Sequence, residues 1–90
     1  MRFRVELSRE AERQLSGFPR EVRERMERSL DELEDRDDSQ WSNVKALQGS
    51  EWKGRYRKKV GPYRIIFMKV PNRGTVEISA ILARSKDTYR

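Results

Sequence analysis

The spacing of hydrophobic residues changes early in the chain from alternation to a helical period. Phe3, Val5 and Leu7 are separated by charged residues, and this period of two predicts a half-buried β-strand. Ser8 is a suitable N-cap for a first helix that runs to about residue 16, and Gly17 follows as its end.

A second helix is predicted from about Pro19 to about Glu34, with the proline at the first helical position. Its hydrophobic residues recur at helical spacing and form one stripe for burial. They are Val22, Met26, Leu30 and Leu33. Two glutamate–arginine pairs have the i,i+4 order that favours ion pairing. They are Glu21 with Arg25 and Glu24 with Arg28.

The C-terminal part of the chain has the pattern of β-structure. Strands are predicted at Arg55–Val60, Tyr63–Val70 and Thr75–Ala83, with turn residues between them. The middle strand is too apolar to have a solvated face, so we expect it at the centre of the sheet. Hydrophobic residues between Trp41 and Leu47 predict only a short packed turn or a helical piece.

These elements predict an α+β fold. An N-terminal strand is followed by an antiparallel helix hairpin and a three-stranded antiparallel C-terminal part. The helices are expected to cover one face of the sheet and to leave the other face to basic residues. A length of 90 residues suits one domain, which we expect to span residues 1–90.

The composition excludes several kinds of chemistry. The sequence has no cysteine and no histidine, so disulfides, thiolate nucleophiles, catalytic imidazoles and the usual zinc sites are excluded. No apolar run approaches the roughly 20 residues that span a bilayer, and the charged start does not resemble a signal peptide. We therefore expect a cytoplasmic protein without a membrane partner.

Positive charge is concentrated in the second part of the chain. Residues 1–40 have a net charge of −3 and residues 41–90 a net charge of +9, which together give +6. Arg55, Arg57 and Lys59 are spaced by two and share one face of a strand. Because aligned cations repel one another, they suit a polyanion such as nucleic acid. The structural alternative is pairing with Glu77 and with helix carboxylates.

Two further basic residues lie close to this row. Lys58 falls on the core side of the strand, where we expect it to snorkel to the sheet edge or to be shifted by a bulge. Arg64 lies at the start of the next strand, just after the Gly-Pro turn, and hairpin pairing places it close to Lys59.

Two segments of the sequence resemble the signatures of RelE/ParE toxins. The first is Leu47–Phe67, with Val60-Gly-Pro-Tyr-Arg64 as its core, and the second is Ile81–Tyr89. The resemblance covers essentially the whole chain and includes the order of the elements. It implies the toxin of a bacterial or archaeal toxin–antitoxin pair.

The RelE branch of this superfamily cleaves messenger RNA in the ribosomal decoding site. The ParE branch has a similar fold, inhibits DNA gyrase, and generally lacks the set of basic residues and tyrosine that this chain retains. The resemblance therefore favours a RelE-like endoribonuclease. The alternatives are a gyrase inhibitor without nuclease activity and an inactive RNA-binding member of the fold.

Catalytic positions follow from the resemblance by matching residues. They are Arg57, Lys59, Arg64, Arg84 and Tyr89. An ungapped match to some members moves the first pair to Arg55 and Arg57, and Ala83 stands where many members have histidine or lysine. Candidate RNA-binding residues are Arg55, Lys58, Lys53, Trp52 and Lys86.

The chemistry expected of such a site needs no protein nucleophile, because RNA supplies its own 2′-hydroxyl. Arg57 and Arg64 are assigned to the phosphate and Arg84 to the developing charge or the leaving 5′-oxygen. Since arginine keeps its proton, the general base is Lys59 (or Lys58) or Tyr89.

The expected reaction uses no metal and no small-molecule cofactor, because the acidic residues after residue 40 are few and scattered. A site without a strong acid–base pair is expected to depend on the ribosome to orient the RNA. Besides messenger RNA in the decoding site, the expected partner is a cognate antitoxin with an acidic or amphipathic segment.

Overall fold

A five-stranded sheet carries two helices on one face. The computed structural model describes residues 1–83, apart from the side chain of Trp52. The strands are β1 Arg4–Leu7, β2 Val44–Ala46, β3 Arg55–Val60, β4 Tyr63–Val70 and β5 Thr75–Ala83. The helices are α1 Arg9–Gly17 and α2 Arg20–Asp35, and short 3-10 turns lie at Asp38–Gln40, Ser50–Trp52 and Pro71–Arg73.

The strand order is β1-β5-β4-β3-β2, so β4 is central as predicted. β1 runs parallel to β5, whereas the other neighbouring strands are antiparallel. The predicted α+β fold, with both helices on one face of the sheet, is confirmed. Neither helix within residues 1–83 is long and apolar enough to span a membrane.

Ser8 and Pro19 lie at the starts of the two helices, within one residue of the predicted positions. The Ser8 hydroxyl accepts a hydrogen bond from the Ala11 N–H over 3.0 Å and so caps α1. Pro19 is the N-cap residue of α2, which begins at Arg20, one position after the predicted start. The carbonyl of Pro19 accepts the first bond of that helix, from the Arg23 N–H at 2.9 Å.

One predicted element is wrong. Val44–Ala46 is an edge strand and not a packed turn or helical piece, and it pairs with Tyr56–Lys58 of β3. Three residues are too few to show a period, and their partners in β3 lie 10 to 14 residues further along the chain. Pairing with a distant segment, and not local preference, therefore decides this strand.

The core lies between the helices and the sheet. Its helical side is the stripe that the sequence predicts, with Met26, Leu30 and Leu33 of α2 buried. The sheet contributes Val60, Ile65, Phe67, Val76, Ile78 and Ile81. Phe67 is fully buried and packs against Tyr56 and Trp41, with ring centroids 5.7 Å away in each case. Packing on this face leaves the other face of the sheet for functional side chains.

Two turn glycines provide a matched test of backbone strain. Gly61 and Gly74 have φ values of +57° and +64°, which favour glycine. Space is open around Gly74, whereas a Cβ on Gly61 would lie 3.0 Å from the Arg25 guanidinium. We expect Gly61→Ala and Gly74→Ala each to lower the free energy of unfolding by about 1 kcal/mol, measured in urea. The two losses should be similar because the Arg25 side chain can move, and an unchanged stability in both variants would show that neither turn requires glycine.

Candidate functional site

The side chains of β3 alternate between the two faces of the sheet, as its sequence predicts. Tyr56 and Val60 face the helices and join the core. Arg55, Arg57 and Lys59 therefore lie on the opposite face, because successive side chains of a strand point to opposite sides. The strand pairs with β4 in continuous register from its first to its last residue, so no bulge disturbs the alternation.

Neighbouring strands add two cations to this row. Cross-strand partners share a face, and Lys59 is the partner of Arg64 while Arg57 is the partner of Lys45. The predicted proximity of Lys59 and Arg64 is confirmed. We call the resulting surface the basic face, defined by Lys45, Arg55, Arg57, Lys59 and Arg64.

Neutral groups hold two of these arginines in place. Arg64 is only 7% exposed, and its Nη1 donates to the carbonyls of Gly61 at 3.0 Å and Tyr63 at 2.9 Å. Arg55 Nη1 donates to the Ser79 hydroxyl at 2.8 Å. These acceptors orient the guanidinium groups without cancelling their charge.

Carboxylates do not neutralise the basic face within residues 1–83. Across that range, none of its five cations forms a salt bridge. Glu77, the structural alternative suggested by the sequence, instead accepts a hydrogen bond from Arg73 at 2.9 Å. The described part of the basic face thus has the charge that an anion requires.

Lys58 does not belong to this face. It is 2% exposed beneath α2, and its Nζ donates to Glu32 Oε1 at 2.7 Å and to the Ser42 carbonyl at 2.9 Å. The expected snorkelling or bulge is wrong because a carboxylate on α2 satisfies the buried ammonium. Lys58 is therefore not positioned as a base on the basic face, and its contact with RNA stays a prediction that its burial and pairing do not favour.

Glu32 and Ser42 are neighbours of the site that the sequence did not indicate. Burial raises the pKa of the Glu32 carboxyl, but hydrogen bonds from Lys58 and Ser42 outweigh it, so the pKa lies below its ordinary value. The sequence feature that could have indicated such a partner is Lys58 itself. It lies on the core side of its strand with Tyr56 and Val60, where a charged group needs a buried partner. Its identity depends on the packing of α2.

Arg25 occupies a different place from the one predicted. Neither Glu21–Arg25 nor Glu24–Arg28 forms a salt bridge within the described residues, and Glu24 instead pairs with Arg20 at 3.2 Å. The Arg25 guanidinium lies against Gly61 at the β3–β4 turn. There it lines a cleft of about 420 Å³ together with Arg28, Lys59 and Asn43.

The other predicted site residues have simpler outcomes. Lys53 is exposed in the loop that leads into β3. Arg84, Lys86 and Tyr89 lie outside the described residues, as does the side chain of Trp52. The described chain ends at Ala83, which is the cross-strand partner of Tyr63, next to Arg64. Whether the tail residues join the basic face therefore stays a prediction.

Comparison with known proteins identifies the family. A family model described as the ParE toxin of the type II toxin–antitoxin system parDE matches residues 5–88. The chain belongs to the ParE toxin family. The predicted membership of the RelE/ParE superfamily is thereby confirmed, and the protein is a toxin of a toxin–antitoxin system. No curated protein sequence matches the chain.

Solved structures similar to this toxin include RelE proteins. The RelE–RelB complex from Pyrococcus horikoshii has 21% identity and a TM-score of 0.76, over 96% of this chain and 99% of that chain. The RelBE2 complex from Mycobacterium tuberculosis has 19% identity and a TM-score of 0.76, over 93% and 100%. Isolated RelE from E. coli has 16% identity and a TM-score of 0.71, over 96% and 88%. At these identities the likeness shows a shared fold.

The Glu32–Lys58 pair of this toxin gives a prediction for pH. Glu32→Gln should lower the unfolding free energy by roughly 2–3 kcal/mol at neutral pH, because it leaves a buried ammonium with only neutral acceptors. The depressed pKa means that the glutamate contributes fully above its ordinary value of 4.5 and loses this contribution as the pH falls through the folded-state pKa.

The difference between wild type and Glu32→Gln should therefore shrink below pH 4.5, measured by urea unfolding at several pH values. Glu27→Gln is the matched control, because Glu27 is exposed on the same helix. A difference that stays constant with pH would contradict the ionic role of Glu32.

Proposed function

We propose that this toxin is a metal-independent, ribosome-dependent endoribonuclease that cleaves messenger RNA through attack of a 2′-hydroxyl on the adjacent phosphate. The observation that carries the proposal is the basic face, whose five cations are unpaired with carboxylates within residues 1–83. A surface with these aligned charges gives little to folding and suits a phosphodiester.

Arg57 and Arg64 are the groups proposed to hold the scissile phosphate. Arginine presents several N–H donors in a planar fork that matches two phosphate oxygens. The two carbonyls that Arg64 contacts restrict its guanidinium before RNA binds, so less conformational freedom is lost on binding. Charge that develops on the phosphate oxygens is then met by donors already in place.

Proton transfer is assigned to Lys59 or Tyr89. Lys59 is exposed and is the cross-strand partner of Arg64, so its amine can reach a 2′-hydroxyl beside a phosphate held there. Arg84 follows Ala83, the partner of Tyr63, and is proposed to stabilise the leaving oxygen. Such a site has no strong acid–base pair, so we propose that the ribosome orients the substrate.

The proposed inhibitor is a cognate antitoxin. The structures from P. horikoshii and M. tuberculosis are complexes of RelE toxins with their antitoxins. For this toxin, we propose an antitoxin with an acidic or amphipathic segment, because the basic face needs opposite charge to be neutralised.

The test of nuclease function uses the full chain and its conservative variants. Arg57→Gln and Arg64→Gln should each slow cleavage of translated messages by about 10²–10³-fold, because each removes a charged donor from the phosphate. Primer extension on messages after induction measures this. Arg13→Gln, a change of the same charge on the exposed side of α1, should cut like wild type. Intact messages during growth arrest by the wild type would overturn the proposal.

A second function is favoured by one observation, the match to the ParE family model. A gyrase inhibitor would arrest growth with intact messages and would block supercoiling by purified gyrase. We expect the wild type to leave supercoiling unaffected at concentrations that cleave translated messages. Inhibition of supercoiling without message cleavage would assign the ParE activity instead.

A further inference from the structure

The cleft beside the β3–β4 turn carries positive charge on the helix side of the sheet. The pairing of β2 with β3 stops near Asn43, whose carbonyl accepts a hydrogen bond from the Lys59 N–H at 2.9 Å. Beyond this point β3 is the sheet edge, and the cleft opens around it. Lys59 and Asn43 line both this cleft and the adjoining one that contains Lys45 and Arg57. The basic face thus continues around the edge toward α2.

The cations of the cleft outweigh its acid. Glu32 is the acidic residue in its lining, and its charge is offset by Lys58 at 2.7 Å. Arg25, Arg28 and Lys59 remain, and within residues 1–83 none of them forms a salt bridge. Arg28 also borders a groove that contains Asp31 and Asp35, so Arg25 has the less compensated charge of the two arginines.

The chemistry of the lining favours a phosphate over a peptide. Its one apolar residue is Val60, which is only 7% exposed, while Ser29, Ser42 and Asn43 supply polar groups. Protein interfaces take much of their affinity from buried apolar or aromatic anchors, which this cleft does not offer. A phosphate needs only charge and hydrogen-bond donors.

We propose that this cleft is a second phosphate-binding site, in which Arg25 and Arg28 hold an RNA backbone phosphate away from the scissile one, with Lys59 between the two phosphates. The site rests on the proposed function, since it extends the same RNA-binding surface. It assigns to α2, whose arginines are interleaved with glutamates, a direct role in RNA affinity. The phosphate comes either from the cleaved strand or from structured RNA of the ribosome.

The experiment measures binding and not cleavage. Wild type, Arg25→Gln/Arg28→Gln (the α2 pair) and Arg57→Gln are titrated between 50 and 200 mM salt. The probes are a fluorescent 2′-O-methyl RNA 12-mer, which lacks the nucleophile, purified ribosomes and a poly-glutamate peptide. The matched control is Arg9→Gln/Arg13→Gln, which removes the same charge from exposed positions on α1. Thermal unfolding of each variant confirms that it is folded.

We expect Arg25→Gln/Arg28→Gln to weaken binding about tenfold at low salt and to reduce the slope of log K against log salt by about 1–2. The control pair should keep the wild-type slope. A reduced slope with the 12-mer assigns the phosphate to the cleaved strand. A reduced slope with ribosomes alone assigns it to ribosomal RNA, and both results support the site.

Three outcomes overturn the inference in distinguishable ways. If Arg57→Gln weakens RNA binding and the α2 pair does not, the cleft is not a phosphate site but the proposed nuclease survives. If the wild type binds neither RNA nor ribosomes, both proposals fail. If the α2 pair weakens binding of a poly-glutamate peptide but leaves RNA binding unchanged, the cleft recognises an acidic protein.

Discussion

The ammonium of Lys58 lies beneath α2, where the Glu32 carboxylate accepts its hydrogen bond at 2.7 Å, and this contact fixes which side chains of β3 face outward. Lys58 stands between two other basic residues, so its direction sets theirs. With Lys58 paired inside, Arg57 and Lys59 must face outward, because strand side chains alternate. A buried ammonium without this partner would be unstable, and relief by a one-residue shift would invert the basic face.

The cations on and beside the sheet have two kinds of partner, carboxylates or neutral oxygen atoms. Lys69 pairs with Asp38 at 3.1 Å and Arg73 with Glu77 at 2.9 Å, so these cations are balanced locally. Arg55 and Arg64 are instead held by a hydroxyl and by backbone carbonyls, which fix their direction and keep their charge. A polyanion can therefore meet guanidinium groups that are already oriented. This difference separates the candidate site from ordinary surface charge.

The fold itself does not choose between the activities found in this superfamily. A ParE family model matches residues 5–88, and a RelE structure aligns with 96% of the chain, so neither match separates the two branches. The side chains that a shared scaffold carries, and not the scaffold itself, decide function. In this toxin the sheet face opposite the helices holds cations, and the arginines of α2 continue the charge around the β3–β4 turn.

The sequence by itself determined the strands β1, β3, β4 and β5, both helices, and the direction of Arg55, Arg57 and Lys59, because each follows from a period read over neighbouring residues. It also determined the family, through the segment around Val60-Gly-Pro-Tyr-Arg64. Tertiary structure alone decided the edge strand Val44–Ala46, the partner of Lys58 and the position of Arg25. These depend on segments far apart in the chain, such as Glu32 and Lys58, which are 26 residues apart. Local periodicity has no information about such distances, and only the packing of α2 against the sheet supplies it.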